Sequence, residues 1–260
     1  MDPAHLSESY TDIFNARGHV YNEAGSRCPL AREAERAALL DRLELAPGQV
    51  VVDLPAGGGY LADGIRARWG GSIRVICVEP AVRFAAVIHP DFEVRNDELA
   101  ALSLGSGSVE RIGSLAGLHH VDNRMACYRD WWRVLKPGGR LVVADVEVGT
   151  GTAGFLNEFV HAHTPGGHVG KFFRSGEWEH ELTAAGFCDV REESVAVPWV
   201  FAEVAEMTQF CRTMFAVELA TPAQVQAAIE HYLGWFTANG RVHMNWRLRY
   251  AVATKGHPSA

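Results

Sequence analysis

From Gln49 onward, short uninterrupted apolar runs alternate with stretches of helical spacing, and this alternation limits the folds open to the chain more than any other feature. The apolar runs are Val50–Val52, Ile73–Val78, Val109–Leu115 and Leu141–Ala144; the helical stretches between them are Leu61–Trp69, Ala81–Ile88 and Val121–Leu135. Strands buried on both faces lose the in-out alternation of a half-exposed strand and read as continuous apolar runs, so the pattern predicts crossover units and a doubly wound, mainly parallel α/β sheet. Lys136-Pro137-Gly138-Gly139 stops the third of these helices. Before this region, residues from about Leu6 to Leu45 read as helical, with Pro29 starting the second half and Pro47-Gly48 ending it. After it come two further strands, Val190–Val197 and Trp246–Ala253, separated by Trp199–Gly240, whose large apolar side chains at helical spacing predict a helical cap inserted between the last two strands. The expected organisation is an N-terminal helical lid segment at 1–48, an α/β core at 49–198 and 241–260, and the cap at 199–240.

Composition narrows the function. A chain of 260 residues that is 48% hydrophobic can bury a substantial core. A formal net charge of −7 lacks the clustered Lys and Arg that a polyanion requires, so nucleic acid is not an expected partner. Five scattered cysteines form no C-x-x-C pair, which points to a reducing compartment. No basic-then-apolar leader is seen and no apolar run approaches the roughly 20 residues of a bilayer span, so the expectation is cytoplasmic, without a membrane partner.

The first strand runs into Asp53-Leu54-Pro55-Ala56-Gly57-Gly58-Gly59-Tyr60, and the second ends in Glu79-Pro80, 20 residues after Gly59. In an open parallel sheet, ligands bind beyond the carboxyl ends of the strands, where strand order reverses. A carboxylate at the end of the second strand suits the two hydroxyls of a ribose. Gly57 to Ala62 also fits the dinucleotide pattern G-x-G-x-x-G/A. Asp53 tilts the choice, since it would repel a pyrophosphate but favours a cationic ligand.

Taken together, these residues resemble the class I S-adenosylmethionine-dependent methyltransferases, over about Gln49 to Val146. Val51 to Gly59 is similar to their first motif, D-x-G-x-G-x-G after a hydrophobic strand, and Glu79 matches the acid closing their second strand. Ser114-Leu115-Ala116-Gly117-Leu118-His119-His120-Val121 resembles the fourth-strand segment of the small-molecule, type 11-like branch. Trp132-Arg133-Val134-Leu135-Lys136-Pro137-Gly138-Gly139-Arg140-Leu141 matches that branch's R-V-L-K-P-G-G stretch. Pro55 departs from the pattern by replacing the first glycine, which fixes φ and removes a backbone donor, and Glu110 stands where an aspartate is usual. The resemblance implies a seven-stranded Rossmann-like sheet and S-adenosyl-L-methionine as cofactor. It further implies that the cofactor is bound by Asp53, Pro55, Ala56, Gly57, Gly59, Glu79, Pro80, Ser114 and Leu115, with Asp97 and Glu98 in the region that contacts adenine. Asp97 reads equally as a helix-start carboxylate.

Because a sulfonium is a good leaving group, the protein's task is to align a nucleophile, with a general base if the acceptor is a hydroxyl. His119 and His120, after the fourth strand, are the base candidates, and Asp145 at the end of the fifth is an alternative base or anchor; each also reads as a packing or hydrogen-bonding residue. His161, His163 and His168 are close in sequence, but residues two apart on a helix diverge, so no metal is expected and a loop carrying His168 over the substrate is the better reading. In the N-terminal segment, Arg17 and Tyr21 are expected at the cofactor and Tyr10 at the substrate, which His161, His168, Trp199, Phe210 and Met214 would also line. The expected reaction is methyl transfer to an oxygen or nitrogen of an apolar or aromatic small molecule or acyl substrate. Non-methylating use of the same cofactor (cyclisation or lyase chemistry releasing methylthioadenosine), an NAD-linked oxidoreductase and a non-catalytic cofactor-binding protein remain open, as does a homodimer.

Overall fold

Val51 and Val52 point to opposite faces of the central strand, and each face carries its own core. A computed structural model of the chain describes residues 10–168 and 170–257; Leu6–Ser9 of the expected first helix, and Val169 of the expected loop, lie outside the described residues. The strands are β1 (Val50–Asp53), β2 (Arg74–Val78), β3 (Glu93–Arg95), β4 (Val109–Leu115), β5 (Leu135–Asp145), β6 (Phe187–Ala196), β7 (Trp199–Phe201), β8 (Trp235–Ala238), β9 (Arg241–Met244) and β10 (Arg247–Lys255). Seven of them form one sheet in the order β3-β2-β1-β4-β5-β10-β6, with β10 antiparallel to β5 and β6 and the pairs from β3 to β5 parallel. This is the mainly parallel, doubly wound sheet that the apolar runs predict.

The helices are α1 (Tyr10–Arg27), α2 (Glu33–Leu43), α3 (Tyr60–Trp69), α4 (Val82–Ala85), α5 (Arg124–Val134), α6 (Gly151–Gly154), a π-helical segment (Phe155–Val160), α7 (His161–His163), α8 (Glu177–Ala184), α9 (Val204–Met214) and α10 (Pro222–Tyr232). Val51 and Val142 pack with Leu39, Leu43, Leu61 and Ile65 of α2 and α3. Val52 and Val143 pack on the other face with Tyr128 and Trp131 of α5 and Trp178 of α8. Burial on both faces is what made the strands legible as continuous apolar runs.

Three differences from the sequence expectation have local causes. The expected Leu30–Leu45 helix starts only at Glu33, because Pro29 lies in a turn between α1 and α2. The fifth strand begins at Leu135, not Leu141: Val109 pairs with Leu135 and Arg111 with Arg140, so residues 136–139 bulge out opposite Glu110, and Lys136 folds back to pair with that carboxylate. The Lys-Pro-Gly-Gly stretch therefore interrupts a strand as well as ending a helix.

The third difference concerns the cap. Its middle is helical (α9, α10), but its flanks are strands, and β7, β9 and β8 form a separate three-stranded antiparallel sheet. Trp199-Val200-Phe201 and Trp235-Phe236-Thr237 are aromatic and β-branched, which suits a pleated surface. Asn239 and Gly240 both adopt positive φ (51° and 69°), the turn that an Asn-Gly pair makes between hairpin strands. As β9 lies at 241–244, the inserted unit extends past the expected boundary at 240.

Candidate active site

The ends of β1, β2, β4 and β5 meet where strand order reverses, between β1 and β4. Asp53 ends β1, is buried, and its Oδ2 accepts from the Ala62 backbone N–H at 3.1 Å. Burial pushes its carboxyl up to about 8; the Ala62 N–H opposes the shift, while Glu79 and Asp63 add to it. The turn that follows needs glycine: Gly57 and Gly59 have φ of 54° and 86°, and a Cβ on Gly57 would lie 2.9 Å from the Phe84 ring.

Glu79, fully buried after β2, accepts from Gly57 N (2.8 Å) and the Tyr10 hydroxyl (2.9 Å) at Oε2 and from Ala81 N (2.9 Å) at Oε1. Burial raises its pKa against these donors. The Tyr10 bond, together with Phe14 stacked on Phe84 at 4.9 Å, holds α1 across the end of β2.

Opposite this acid lies an imidazole cluster. After β4 the chain turns through Ala116, in the left-handed region (φ 55°), into a 3-10 turn at Leu118–His120. His119 Nδ1 is 2.6 Å from Asp145 Oδ1, and Asp145, fully buried at the end of β5, also accepts from the backbone N–H groups of His119 (3.1 Å) and Val146 (2.7 Å). Against a carboxylate Nδ1 is the donor, which leaves the Nε2 lone pair free. The ring centroids of His119, His120 and His168 are 4.1, 5.8 and 5.3 Å apart. Burial holds His120 well below the usual histidine range and His168 down at about 3, with His119 and Arg17 adding to both shifts, so these two rings are neutral near pH 7.

One cavity of about 580 Å³ joins both sides and continues beneath the cap. Of the residues singled out from sequence, it is lined by Tyr10, Arg17, Tyr21, Asp53, Pro55, Ala56, Gly57, Leu115, His119, His120, His168, Trp199, Phe210 and Met214. Others are not among its lining. Gly59 caps α3, Pro80 follows β2, and Glu79 after β2, Ser114 in β4 and Asp145 at the end of β5 are buried at the strand ends. Asp97 is instead tied to the backbone N–H and hydroxyl of Ser103, Glu98 is exposed, and His161 supports the backbone of His168 from outside. Ser114 Oγ is buried with no hydrogen-bond partner among the described residues.

Sequence reasoning did not single out Asn157, or the buried Arg32–Glu35 pair (2.5 Å), which bonds the Tyr21 hydroxyl through Arg32 and the Trp199 indole N–H through Glu35 (2.9 Å). The i, i+3 spacing of Arg32 and Glu35 was a usable signal for their pairing; nothing local marked Asn157.

Comparison with known proteins agrees with this architecture. Residues 52–143 match the family model described as "Methyltransferase domain". The chain is 27% identical over 161 residues to methyltransferase GfsG of Streptomyces halstedii (55% of this chain, 54% of that protein). It is 33% identical over 111 residues to a ubiquinone biosynthesis O-methyltransferase of Xanthomonas oryzae pv. oryzae (40% and 45%). It thus spans about half the length of the curated relatives it matches. Its fold is similar to that of the putative methyltransferase solved in complex with the Trm112 activator of Haloferax volcanii (TM-score 0.69, 18% identity, 97% of this chain and 100% of that one). The domain match, the strand order and the acid-and-glycine turn at the end of β1 agree: residues 52–143 are similar to the methyltransferase domain and lie on the fold of the solved methyltransferase-like chain.

Proposed function

We propose that the chain transfers a methyl group from S-adenosyl-L-methionine to an oxygen of an apolar or aromatic small molecule. The observation that carries this reading is the single cavity that connects Asp53 and the glycine turn, the His119–Asp145 pair, and a chamber walled by Trp199, Phe210, Met214, Phe215 and Trp246. The residues fit the cofactor's chemistry. A buried carboxyl with its pKa raised to about 8 is poised to ionise against a cationic ligand, and Glu79, receiving a tyrosine hydroxyl, can receive a ribose hydroxyl at the same oxygen. In this reading Asp53, the Pro55–Gly57 turn, Glu79 and Leu115 hold the cofactor, with Arg17 and Tyr21 of the N-terminal lid closing over it.

When bound, the cofactor supplies an electrophilic methyl on a sulfonium leaving group. Asp145 orients the imidazole and offsets the charge it gains, and His119 Nε2 receives the acceptor's hydroxyl proton. The apolar cap wall excludes water and positions the substrate. Five free cysteines and the lack, among the described residues, of any helix long and apolar enough to cross a membrane support a cytoplasmic setting.

The test is to incubate the protein with S-adenosyl-L-methionine and a panel of phenolic, hydroxylated acyl and highly charged acceptors. Formation of S-adenosylhomocysteine with a methyl ether from the apolar members is expected, and His119→Ala should slow it about 10²–10⁴-fold at unchanged cofactor affinity. Release of methylthioadenosine, or transfer only to charged, non-aromatic acceptors, would replace the reading.

A further inference from the structure

We propose that His119, His120 and His168 form a three-imidazole site for a divalent transition-metal ion, Zn²⁺ fitting best, on the acceptor side of the cavity. One ring nitrogen from each lies within 4.8 Å of the others, and all three rings line the cavity. Ligands for such an ion are neutral imidazoles with a free lone pair, and three histidines with an open fourth position are the pattern of ions that meet substrate directly.

The surroundings fix the ring nitrogens in the sense that coordination needs. The His119 Nδ1–H donates to Asp145 Oδ1 at 2.6 Å, the carboxylate–histidine arrangement that supports metal ligands. His168 Nδ1 faces Asn157 Oδ1 at 3.2 Å. That amide cannot be turned round, because its Nδ2 donates to Gly170 O and its Oδ1 accepts from Gly170 N, both at 2.9 Å. Facing an acceptor oxygen, His168 Nδ1 must be the donor, and Nε2 keeps its lone pair. Two of the three rings are therefore set, by partners outside the cluster, to offer Nε2.

The backbone is also held. Lys171 N donates to His119 O at 2.9 Å, His168 N to His161 Nδ1 at 3.1 Å, and Arg17 to the carbonyls of Pro165 (2.7 Å) and Gly167 (3.0 Å), so the loop bearing His168 is tied to the turn bearing His119 and to α1. Asn157 lies in the π-helical segment, a distortion that re-aims side chains and recurs at functional sites. Zn–N bonds of about 2.0–2.1 Å place tetrahedral nitrogens roughly 3.4 Å apart, so the rings close onto an ion by small rotations of their side chains.

The charged groups that face the cluster are Asp145, behind His119, and the Arg17 guanidinium, which engages the loop carbonyls. A bound ion would polarise an acceptor hydroxyl, whose O–H bond breaks with the proton leaving to solvent and the electron pair staying on oxygen; Zn²⁺ brings a bound water to a pKa of about 7 in the same way. His119 would then serve as ligand in place of base.

The site is tested by metal binding, without turnover. Tag-free protein is stripped with chelator and titrated with Co²⁺, read by visible absorption, and with Zn²⁺, read by calorimetry and elemental analysis. One equivalent of Co²⁺ with a tetrahedral visible spectrum is expected. His168→Ala and His120→Ala should each weaken binding at least 100-fold, Asn157→Leu about 10–100-fold, and His89→Ala, outside the cluster, not at all. Circular dichroism melts confirm that each variant is folded, and His168→Gln serves as a smaller change if His168→Ala unfolds. No bound equivalent, or binding that survives loss of His120 and His168, overturns the proposal and leaves methyl transfer through His119 as base intact. Metal binding without methyl transfer would leave the site standing and remove the proposed function.

Discussion

The two walls of the cavity are built differently. The acid-and-glycine wall comes from contiguous segments at the ends of adjacent parallel strands: Asp53 ends β1 and the turn to Gly59 follows it, and Glu79 follows β2. The imidazole wall is assembled from Leu118–His120 after β4, Asp145 at the end of β5, Asn157 in the π-helical segment, and His168 in a loop held to α1. One wall is a local consequence of strand, turn and helix; the other exists only when four separated segments are docked. Function on the first wall should therefore be lost by single changes to its carboxylates, while the second depends on outer partners as well as on the rings.

Removing the carboxylate on which the first wall converges has the largest expected effect. Glu79→Ala should abolish measurable S-adenosyl-L-methionine binding, a loss of at least about 100-fold by calorimetry, since three buried donors lose their acceptor at once. Retained binding would show that this wall does not hold the cofactor.

A smaller effect follows from Asp53. With its pKa raised to about 8 by burial, and pushed the same way by the nearby Glu79 and Asp63, it carries a proton at neutral pH that a cationic ligand must displace. Affinity should rise by up to about tenfold per pH unit between pH 6 and 8 and then level off, with proton release seen as a buffer-dependent binding enthalpy. The stability sign is opposite: the raised pKa contributes stability that is complete below the unfolded-state value near 4 and is lost as pH climbs through about 8. Asp53→Asn should flatten both profiles, and a pH-independent affinity in the parent protein would contradict the assignment.

The smallest expected effect concerns the lid. The Tyr10 hydroxyl occupies an oxygen that a ribose hydroxyl would use, so Tyr10→Phe should tighten cofactor binding by roughly two- to fivefold, within the worth of one hydrogen bond to a charged group. Weaker binding would mean that Tyr10 stays on the cofactor side as a direct contact.

Much of this was legible in the chain. Continuous apolar runs gave the parallel sheet because both faces of β1, β2, β4 and β5 are buried, and Asp53, the glycine turn and Glu79 stood out because a strand end fixes its neighbours locally. The strands flanking the cap were missed although Asn239-Gly240 was a readable hairpin signal; the helical spacing of α9 and α10 between them dominated the reading. The sequence listed His119, His120 and His168 but could not say that they meet, because His168 stands 48 positions after His120. Their convergence depends on side-chain bonds from Asp145, Asn157 and Arg17 to groups far away in the chain. Periodicity and turn chemistry act over a few residues and so determined the strands and the first wall. Which imidazoles face one another, and which nitrogen each presents, is set by docked loops and second partners, and only the tertiary structure decided it.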